Sequence, residues 1–429
     1  MTTRRAGHVL LGLVLWAVAG PGPSTAQTAA VKAPAFGLAL SGYVKTDIFY
    51  DTRQTTSLRE GHFLLYPKGP ADDPNGADAN ARAAFNILSI QTRAALTATG
   101  PDVLGAKTFA FVEAEFFGTS DADINGFRLR HAYLRLGWPR TELLVGQYWH
   151  PLFVAECFPD VVSFNTGAPF QPFNRSPQVR LSQAFGRLSL TATALAQRDF
   201  ASNGPDGVSS VYLRNAARPE LDLRLQYSAR NGERKTETVA GLAGDLMTIA
   251  PRLATAAGYA TEEKLTGAAA MAYFKQKWAG LAWKVEAFWG QNTHHLSMIG
   301  GYGVREVVDP ITLAWSYAPV ATFSAWTEVM TNTSGPWQAG LFAGYAKNLG
   351  APHEITGATF SRGADIDVIY RLSPRLLYNI GKVRLAGEVE MTAASYGTPD
   401  LFGKVREARF VRNVRLLLAA YYFFYPSRL

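Results

Sequence analysis

The sequence is poor in several things, and each shortage excludes a class of protein. A single cysteine, Cys157, stands in 429 residues, so an intrachain disulfide and a cysteine-rich metal site are both ruled out. Charged residues make up 18% of the chain, against about 25% in an ordinary globular protein. After Ala19 no apolar run approaches the ~20 residues that a transmembrane helix needs. Lysine and arginine never cluster into a basic arm, which argues against a nucleic-acid partner. No GxSxG elbow, phosphate-binding GxxxxGK[ST] loop or GxGxxG turn is present, so the common hydrolase, nucleotidase and dinucleotide signatures are missing. Aromatic residues, at 12%, and 39 glycines are plentiful instead.

The N-terminus reads as an export address. Arg4 and Arg5 precede an eleven-residue apolar run, Val9 to Ala19, and a GPGPSTA exit ending at Ala26. A basic head, a short apolar centre and a small-residue exit describe a secretory signal peptide over 1–26. Residues 27–36 then form a short periplasmic segment, and 37–429 the remaining domain. Removing the two arginines lowers the net charge from +8 to +6, a mild excess.

The recurring pattern in the mature chain is alternation with a period of two, which places successive side chains on opposite faces of a strand. Leu221, Leu223 and Leu225 alternate with Asp222, Arg224 and Gln226. Trp283, Val285, Ala287 and Trp289 oppose Lys284 and Glu286. Val383, Leu385, Val389 and Met391 oppose Arg384, Glu388 and Glu390. Val414, Leu416, Leu418, Ala420, Tyr422 and Phe424 oppose Asn413 and Arg415. Ile366, Val368, Tyr370 and Leu372 are set against Asp365, Asp367, Arg371 and Arg375. Roughly sixteen such segments begin near 37, 84, 104, 126, 142, 178, 187, 219, 236, 265, 281, 321, 336, 364, 382 and 408. Connections alternate between short turns and long loops, the long ones covering about 51–83, 118–125, 150–177, 198–217, 250–263, 290–320, 349–363 and 396–407.

This rhythm predicts an all-β transmembrane antiparallel barrel of about sixteen strands, with tight periplasmic turns and long outer loops. A soluble sandwich shows the same periodicity with its apolar face inward. Aromatic residues at strand ends (Trp138, Tyr148-Trp149, Trp278, Trp289, Trp337, Tyr421 to Tyr425) favour the barrel, as an interfacial girdle. Closure also removes the sheet edges that so large a β-domain would expose. A barrel of this size leaves an aqueous channel, with the polar faces lining water.

The residues with chemical potential divide into weak and informative cases. His294-His295 is the only histidine pair; neighbours on a strand point to opposite faces, so the pair reads as loop surface and not as a metal site. Cys157 reads as a packed loop residue. Asn332-Thr333-Ser334 matches a glycosylation sequon in a short turn. Glu113 and Glu115 lie two apart, roughly 7 Å along one strand face, but neighbours on a single strand flank a scissile bond poorly, so no catalytic residue is assigned. If the break after Gly118 centres near Asp121-Ala122, Glu115 faces Arg128 and Glu113 faces Arg130. One difficulty attends that register: Arg128 and Arg130 share parity with Leu134 and Leu136, so either a bulge switches faces or the outer face meets another subunit. The segment 150–177 is aromatic and proline-marked, and its length points to a functional loop. It either folds into the lumen, presenting Glu156, Asp160, Asn174 and Arg175, or packs on the surface or a partner subunit.

GYVKTDIFYDT (42–52), ILSIQTRAAL (87–96), FVEAEFFG (111–118), GFRLRHAYLRLG (126–137), LLVGQYWHPLF (143–153) and FNRSPQVRLSQ (173–183) together resemble the DcaP-like outer-membrane porins over about the first third of the mature chain. The resemblance implies a sixteen-stranded trimeric porin of the bacterial outer membrane, with its third outer loop constricting each lumen. It also implies diffusion of small solutes, anionic dicarboxylates among them in some members. Two departures are visible: an N-terminal helical extension is missing, and Tyr425 precedes a short tail. The expected function is a passive channel for small hydrophilic solutes, without cofactor, with outer-membrane lipid and sister subunits as partners. A barrel enzyme or a soluble secreted β-protein that binds a ligand are the alternatives. The expected anion-selecting residues are Arg93, Lys107, Arg128, Arg130, Arg175, Arg180 and Arg224, offset by Glu113, Glu115, Glu156 and Asp160.

Overall fold

The computed structural model describes residues 36–332 and 335–425. The signal peptide and nearly all of the 27–36 segment therefore lie outside the described residues, as do two residues of the sequon.

Alternating sequences build one closed sheet. Its strands are β1 (Gly37–Asp51), β2 (Ala84–Leu88 with Arg93–Thr99), β3 (Lys107–Glu115), β4 (Arg128–Gly137), β5 (Thr141–Trp149), β6 (Arg175–Phe185), β7 (Leu188–Leu195) and β8 (Glu220–Asn231). They continue with β9 (Thr236–Ile249), β10 (Leu265–Lys277), β11 (Leu281–Gln291 with Gly301–Asp309), β12 (Ala314–Thr331), β13 (Trp337–Gly350), β14 (Ile366–Ile380), β15 (Val383–Pro399) and β16 (Val405–Phe424). The sheet has 18 strand segments, and because β2 and β11 are each interrupted once, these make sixteen staves. Each stave pairs antiparallel with its sequence neighbour, and β1 closes the ring on β16 from Gly42↔Phe424 to Asp51↔Arg415. Closure leaves no sheet edge unpaired.

Strand starts lie within a few residues of those expected, except β12. It begins at Ala314, not near 321, because the connection 290–320 contains the outer half of β11, Gly301–Asp309, paired with it. The 51–83 connection likewise holds a hairpin, Thr55–Leu58 with Phe63–Pro67, and a short helix, Val211–Asn215, sits in the fourth long connection. None of these carried a periodic signal long enough to read.

Leucines and valines of the alternating strands point outward and are exposed, among them Leu38, Leu40, Leu96, Leu134, Leu221, Leu223, Leu242, Leu385, Leu416 and Leu418. A continuous apolar outer face around a closed sheet is what a bilayer covers. Trp278, Trp289, Trp337, Tyr422 and Tyr425 are exposed near strand ends. The girdle expected from sequence is smaller than that, however. Trp149 stacks on Phe153 at 3.9 Å inside the barrel, Tyr148 lies under Arg180, and Tyr421 and Phe423 pack with Tyr43 and Arg384. Tyr148, Tyr421 and Phe423 sit on the inward parity of their strands, and Trp149 turns inward at the very end of β5. Ile366 is another correction: a register shift between Ile366 and Ile369 turns Ile366 inward, where it is buried like Ile369.

The interior is not a simple water-lined tube. Residues 150–174 cross it from the end of β5 to the opposite wall and return to β6. Lys284 Nζ donates to Phe158 O at 2.8 Å, Asn165 Nδ2 to Glu390 at 2.7 Å, Arg371 Nη1 to Ala168 O at 2.9 Å and Ser324 Oγ to Phe170 O at 3.0 Å. The Val162 and Ser163 amides donate to Glu388. The Phe63–Pro67 hairpin strand enters beside it, held by Arg371 on Leu65 O (2.7 Å), Arg415 on Gly61 O (2.7 Å) and Tyr396 on Pro67 O (2.6 Å). Between the two segments Phe63, Phe117, Phe153, Phe164, Phe170 and Phe173 form a buried cluster. Much of the wall's polar face therefore meets protein instead of water.

Candidate functional site: the charged lumen wall

The hairpin of β3 and β4 carries the densest charge. Its break needs glycine: Gly118 has φ +63°, and a Cβ there would stand 1.9 Å from Asp123 O. Asp123 then accepts from the Thr119 amide at 3.0 Å, closing the loop. Glu115 faces Arg128 in register as expected, but Glu113 faces His131, with a bulge between Glu113 and Ala114. The extra residue is Arg130. By absorbing one position the bulge lets Arg128 and Arg130 point inward while Leu129 and Leu134 face outward, which resolves the parity conflict without a subunit contact.

Glu115 is fully buried and accepts from three guanidiniums: Arg93 Nε at 2.9 Å, Arg128 Nη2 at 2.8 Å and Arg130 Nη1 at 2.7 Å. Arg130 Nε also donates to Glu113 at 2.6 Å. On the far side Asp199, from the loop after β7, pairs with Arg128 at 2.9 Å and Arg175 at 2.6 Å. Burial opposes the charged form of Asp199, but Arg175 and Arg128 outweigh it and hold the carboxyl below the usual aspartate range. Four arginines thus face three carboxylates, and the cluster is nearly neutral.

Arg180 and Arg224 are placed differently. Both are mostly buried on the inward faces of β6 and β8. Arg180 Nη2 donates to Trp149 O at 2.8 Å; among the described residues neither arginine forms an ion pair. Glu156 and Asp222 act on Arg180 through space without closing on it. Asp160 is tied to Lys284 at 2.6 Å, and Lys284 and Arg375 bracket Glu328 at 3.0 and 2.8 Å. Lys107 is a correction: its side chain is 83% exposed and pairs with Asp102 at 2.7 Å, at the short-turn end of β3 and away from the other ten residues.

Two cavities lie between the inserted segment and the short-turn end of the barrel. One, of about 410 Å³, is lined by Arg93, Arg130, Arg375 and Arg384 with Asp160. The other, of about 420 Å³, is lined by Arg135, Arg140, Arg180 and Arg224 with Glu142 and Glu156. Basic groups outnumber acidic ones in both. Arg371, Arg375 and Arg384 have the inward parity in the sequence, as do Lys284, Glu388 and Glu390. Nothing in the sequence, however, shows that the inserted segment docks on them.

The histidines depart from expectation. His294 and His295 are buried, not on a loop surface, because the short 293–296 turn that interrupts β11 is folded into the barrel. They do point apart: His294 Nδ1 meets Ala201 O at 3.0 Å, while His295 Nε2 lies 3.0 Å from Glu220 Oε1. Burial and the nearby Arg362 push His294 well below the usual histidine range. His150 Nε2 lies 2.9 Å from the same Glu220 oxygen. Cys157 is buried in the inserted segment with Sγ on Phe274 O, and burial pushes its thiol up to about 12.

No protein-family model matches the chain, and no curated protein sequence does. Among solved structures it is similar to the outer membrane channel DcaP of Acinetobacter baumannii, with a TM-score of 0.66 and 17% identity over 91% of this chain and 97% of that one. It is also similar to an anion-selective porin from Comamonas acidovorans (TM-score 0.54, 12% identity, 91% and 100% covered). The trimer form of OmpT, an outer membrane protein of Vibrio cholerae, matches with TM-score 0.53 at 12% identity, 91% and 100% covered. At these identities the common property is the fold: the sixteen-stranded antiparallel barrel of bacterial outer-membrane channels.

Proposed function

We propose that the chain is a passive outer-membrane channel for small hydrophilic solutes, with a preference for anions such as dicarboxylates, and that it works as a homotrimer without a catalytic step. The observation that carries the reading is the pair of arginine-rich cavities beneath the inserted 150–174 segment. A solute passing along the lumen must round that segment, so it sets the size limit. Positive charge on low-dielectric walls then raises the local concentration of anions. The exposed apolar face supports a lipid-embedded barrel over a soluble secreted binding protein. The structural likeness to an anion-selective porin and to a trimeric barrel favours the same reading.

Within this reading the eleven residues expected from sequence do not contribute equally. Arg180 and Arg224 carry the selectivity, with Arg384 in the neighbouring cavity. Arg93, Arg128, Arg130 and Arg175 serve mainly to fix the wall, because Glu113, Glu115 and Asp199 already meet them. Glu156 and Asp160 temper the field, and Lys107 has no part in it. Reversal potentials in planar bilayers under a potassium chloride gradient test the proposal. Anion selectivity is expected; a cation-selective channel would sink it.

A further inference from the structure

His150, Glu220 and His295 come from three distant parts of the chain: the start of the inserted segment, the first residue of β8, and the turn that interrupts β11. All three are buried, and one ligand atom from each lies within 4.8 Å of the others. His150 Nε2 and His295 Nε2 both converge on Glu220 Oε1, while Glu220 Oε2 is buried without a hydrogen-bond partner. The neighbourhood adds negative charge; Arg224 and Arg180 act on Asp222 through space, but among the described residues neither closes an ion pair with it. Asp222 lies directly opposite Asp245 on β9, and both oxygens of Asp222 and Oδ2 of Asp245 are buried and unpartnered. Asp245 feels Glu220 and Asp222 as like charges and lies within side-chain hydrogen-bonding reach of Glu220. Like charges directly opposed across a sheet are destabilising, and buried carboxylates with bare oxygens are costly. A cation at Glu220, or a proton shared between Glu220 and Asp245, relieves that cost.

We infer that His150, His295 and Glu220 form a binding site for a divalent first-row transition metal, zinc being the representative ion. Two imidazoles and a carboxylate are the donor set that zinc takes at about 2.0–2.2 Å in tetrahedral sites. Ligand atoms around such an ion stand about 3.4 Å apart, so the observed 2.9 and 3.0 Å contacts need open by only a few tenths of an ångström. Asp245 contributes charge from the adjoining strand. The competing arrangement is a metal-free triad in which both histidines donate to Glu220. One contact favours it: the Leu152 amide donates to His150 Nδ1 at 3.2 Å, and coordination through Nε2 would place a proton on that nitrogen and break the contact. The triad, however, needs a proton between Glu220 and Asp245 to satisfy their facing oxygens, whereas the ion neutralises the Glu220 carboxylate on which both histidines already converge. Bound there, it ties the root of the inserted segment to the wall at β8 and to the turn within β11. The site stands independently of solute preference.

The test refolds the full mature chain in detergent with zinc present, removes free metal by desalting, and measures bound zinc by mass spectrometry. Material is scored only where it shows the heat-modifiable gel migration of a folded barrel. About one zinc per chain is expected in the unaltered protein. That zinc should be lost in His295→Gln and Glu220→Gln and retained in His353→Ala, whose histidine is exposed and is not one of the three ligands. Refolding with cobalt should give the visible absorption of a four-coordinate ion, absent from the same two variants. Folded unaltered protein that binds no zinc overturns the inference, whatever the variants do. So does zinc that persists at full stoichiometry in a folded His295→Gln or Glu220→Gln barrel.

Discussion

Two groups of arginines line the same wall of the barrel and face opposite conditions. Around Glu115, Arg93, Arg128, Arg130 and Arg175 are met by carboxylates at 2.6–2.9 Å. On the same stave as Arg175 and two staves beyond it, Arg180 and Arg224 have no ion-pair partner among the described residues, although they are nearly as buried. The first group is a cross-link: its charge is spent on neighbours, and it holds β2, β3, β4, β6 and the Asp199 loop together. The second keeps its field for whatever enters the adjoining cavity. An arginine count along the inward faces therefore overstates selectivity, and the distinction lies in what stands within 3 Å of each guanidinium.

That contrast can be broken at several points. The largest effect concerns the inserted segment that roofs both groups. Cys157 lies within it, and a thiol pushed up to about 12 by burial has a thiolate fraction on the order of 10⁻⁴ at pH 8. Maleimide labelling of the folded barrel at pH 8 should be on the order of a thousandfold slower than in heat-denatured protein. Fast labelling would mean that the segment leaves the lumen. Next comes Glu115→Ala, which leaves Arg93 without a carboxylate and reduces Arg128 and Arg130 to one each, Asp199 and Glu113. Breaking a buried ion pair from one side costs about 3–5 kcal/mol, to be read as a lowered urea midpoint for loss of the heat-modifiable form. An unchanged midpoint would show that water reaches the cluster and that it is no cross-link.

A smaller effect is expected from Arg180→Ala with Arg224→Ala. A unit charge ~7 Å from a permeating ion in a watery path is worth about 0.6 kcal/mol. Removing both weakens the attraction for chloride by about 1.2 kcal/mol and the repulsion of potassium by as much, so the chloride-over-potassium permeability ratio should fall by roughly fiftyfold, with little change in the urea midpoint. Arg128→Ala should do the reverse, with a larger loss of stability and a smaller shift in selectivity. If the two variants behave alike, the two groups are electrically equivalent. The smallest effect belongs to Lys107→Ala. An exposed surface pair contributes about 0–1 kcal/mol, so both stability and permeability ratio should stay at their original values.

Much of the barrel was readable because its strands obey one local rule. Alternation tells which side chains share a face, and long runs such as Leu221 to Gln226 or Arg384 to Met391 kept their parity in the structure. The readings that failed did so where the rule is interrupted. The bulge at Arg130 switches parity by one residue, and the register shift before Ile369 turns Ile366 inward. The strand Gly301–Asp309 hides behind a break that carries no periodic signal. The charged site was legible as one hairpin carrying Glu113, Glu115, Arg128 and Arg130, but the face taken by the two arginines stays open without the bulge. Its electrical character was not legible, since a sequence does not say that Asp199, far along the chain, closes on Arg128 and Arg175.

By itself, then, the sequence determined the class of structure: a closed antiparallel sheet, apolar outside and charged within, with long connections at one end. Those properties follow from nearest-neighbour geometry along each strand, which needs no knowledge of distant residues. Only the tertiary structure decided which charges are neutralised and which stay open. It also decided that the 150–174 segment and the Phe63–Pro67 strand fill the interior, and that His150, Glu220 and His295 meet. Each of these is a contact across the barrel between residues tens to hundreds of positions apart. Such contacts come from closure of the ring, which no local periodicity encodes.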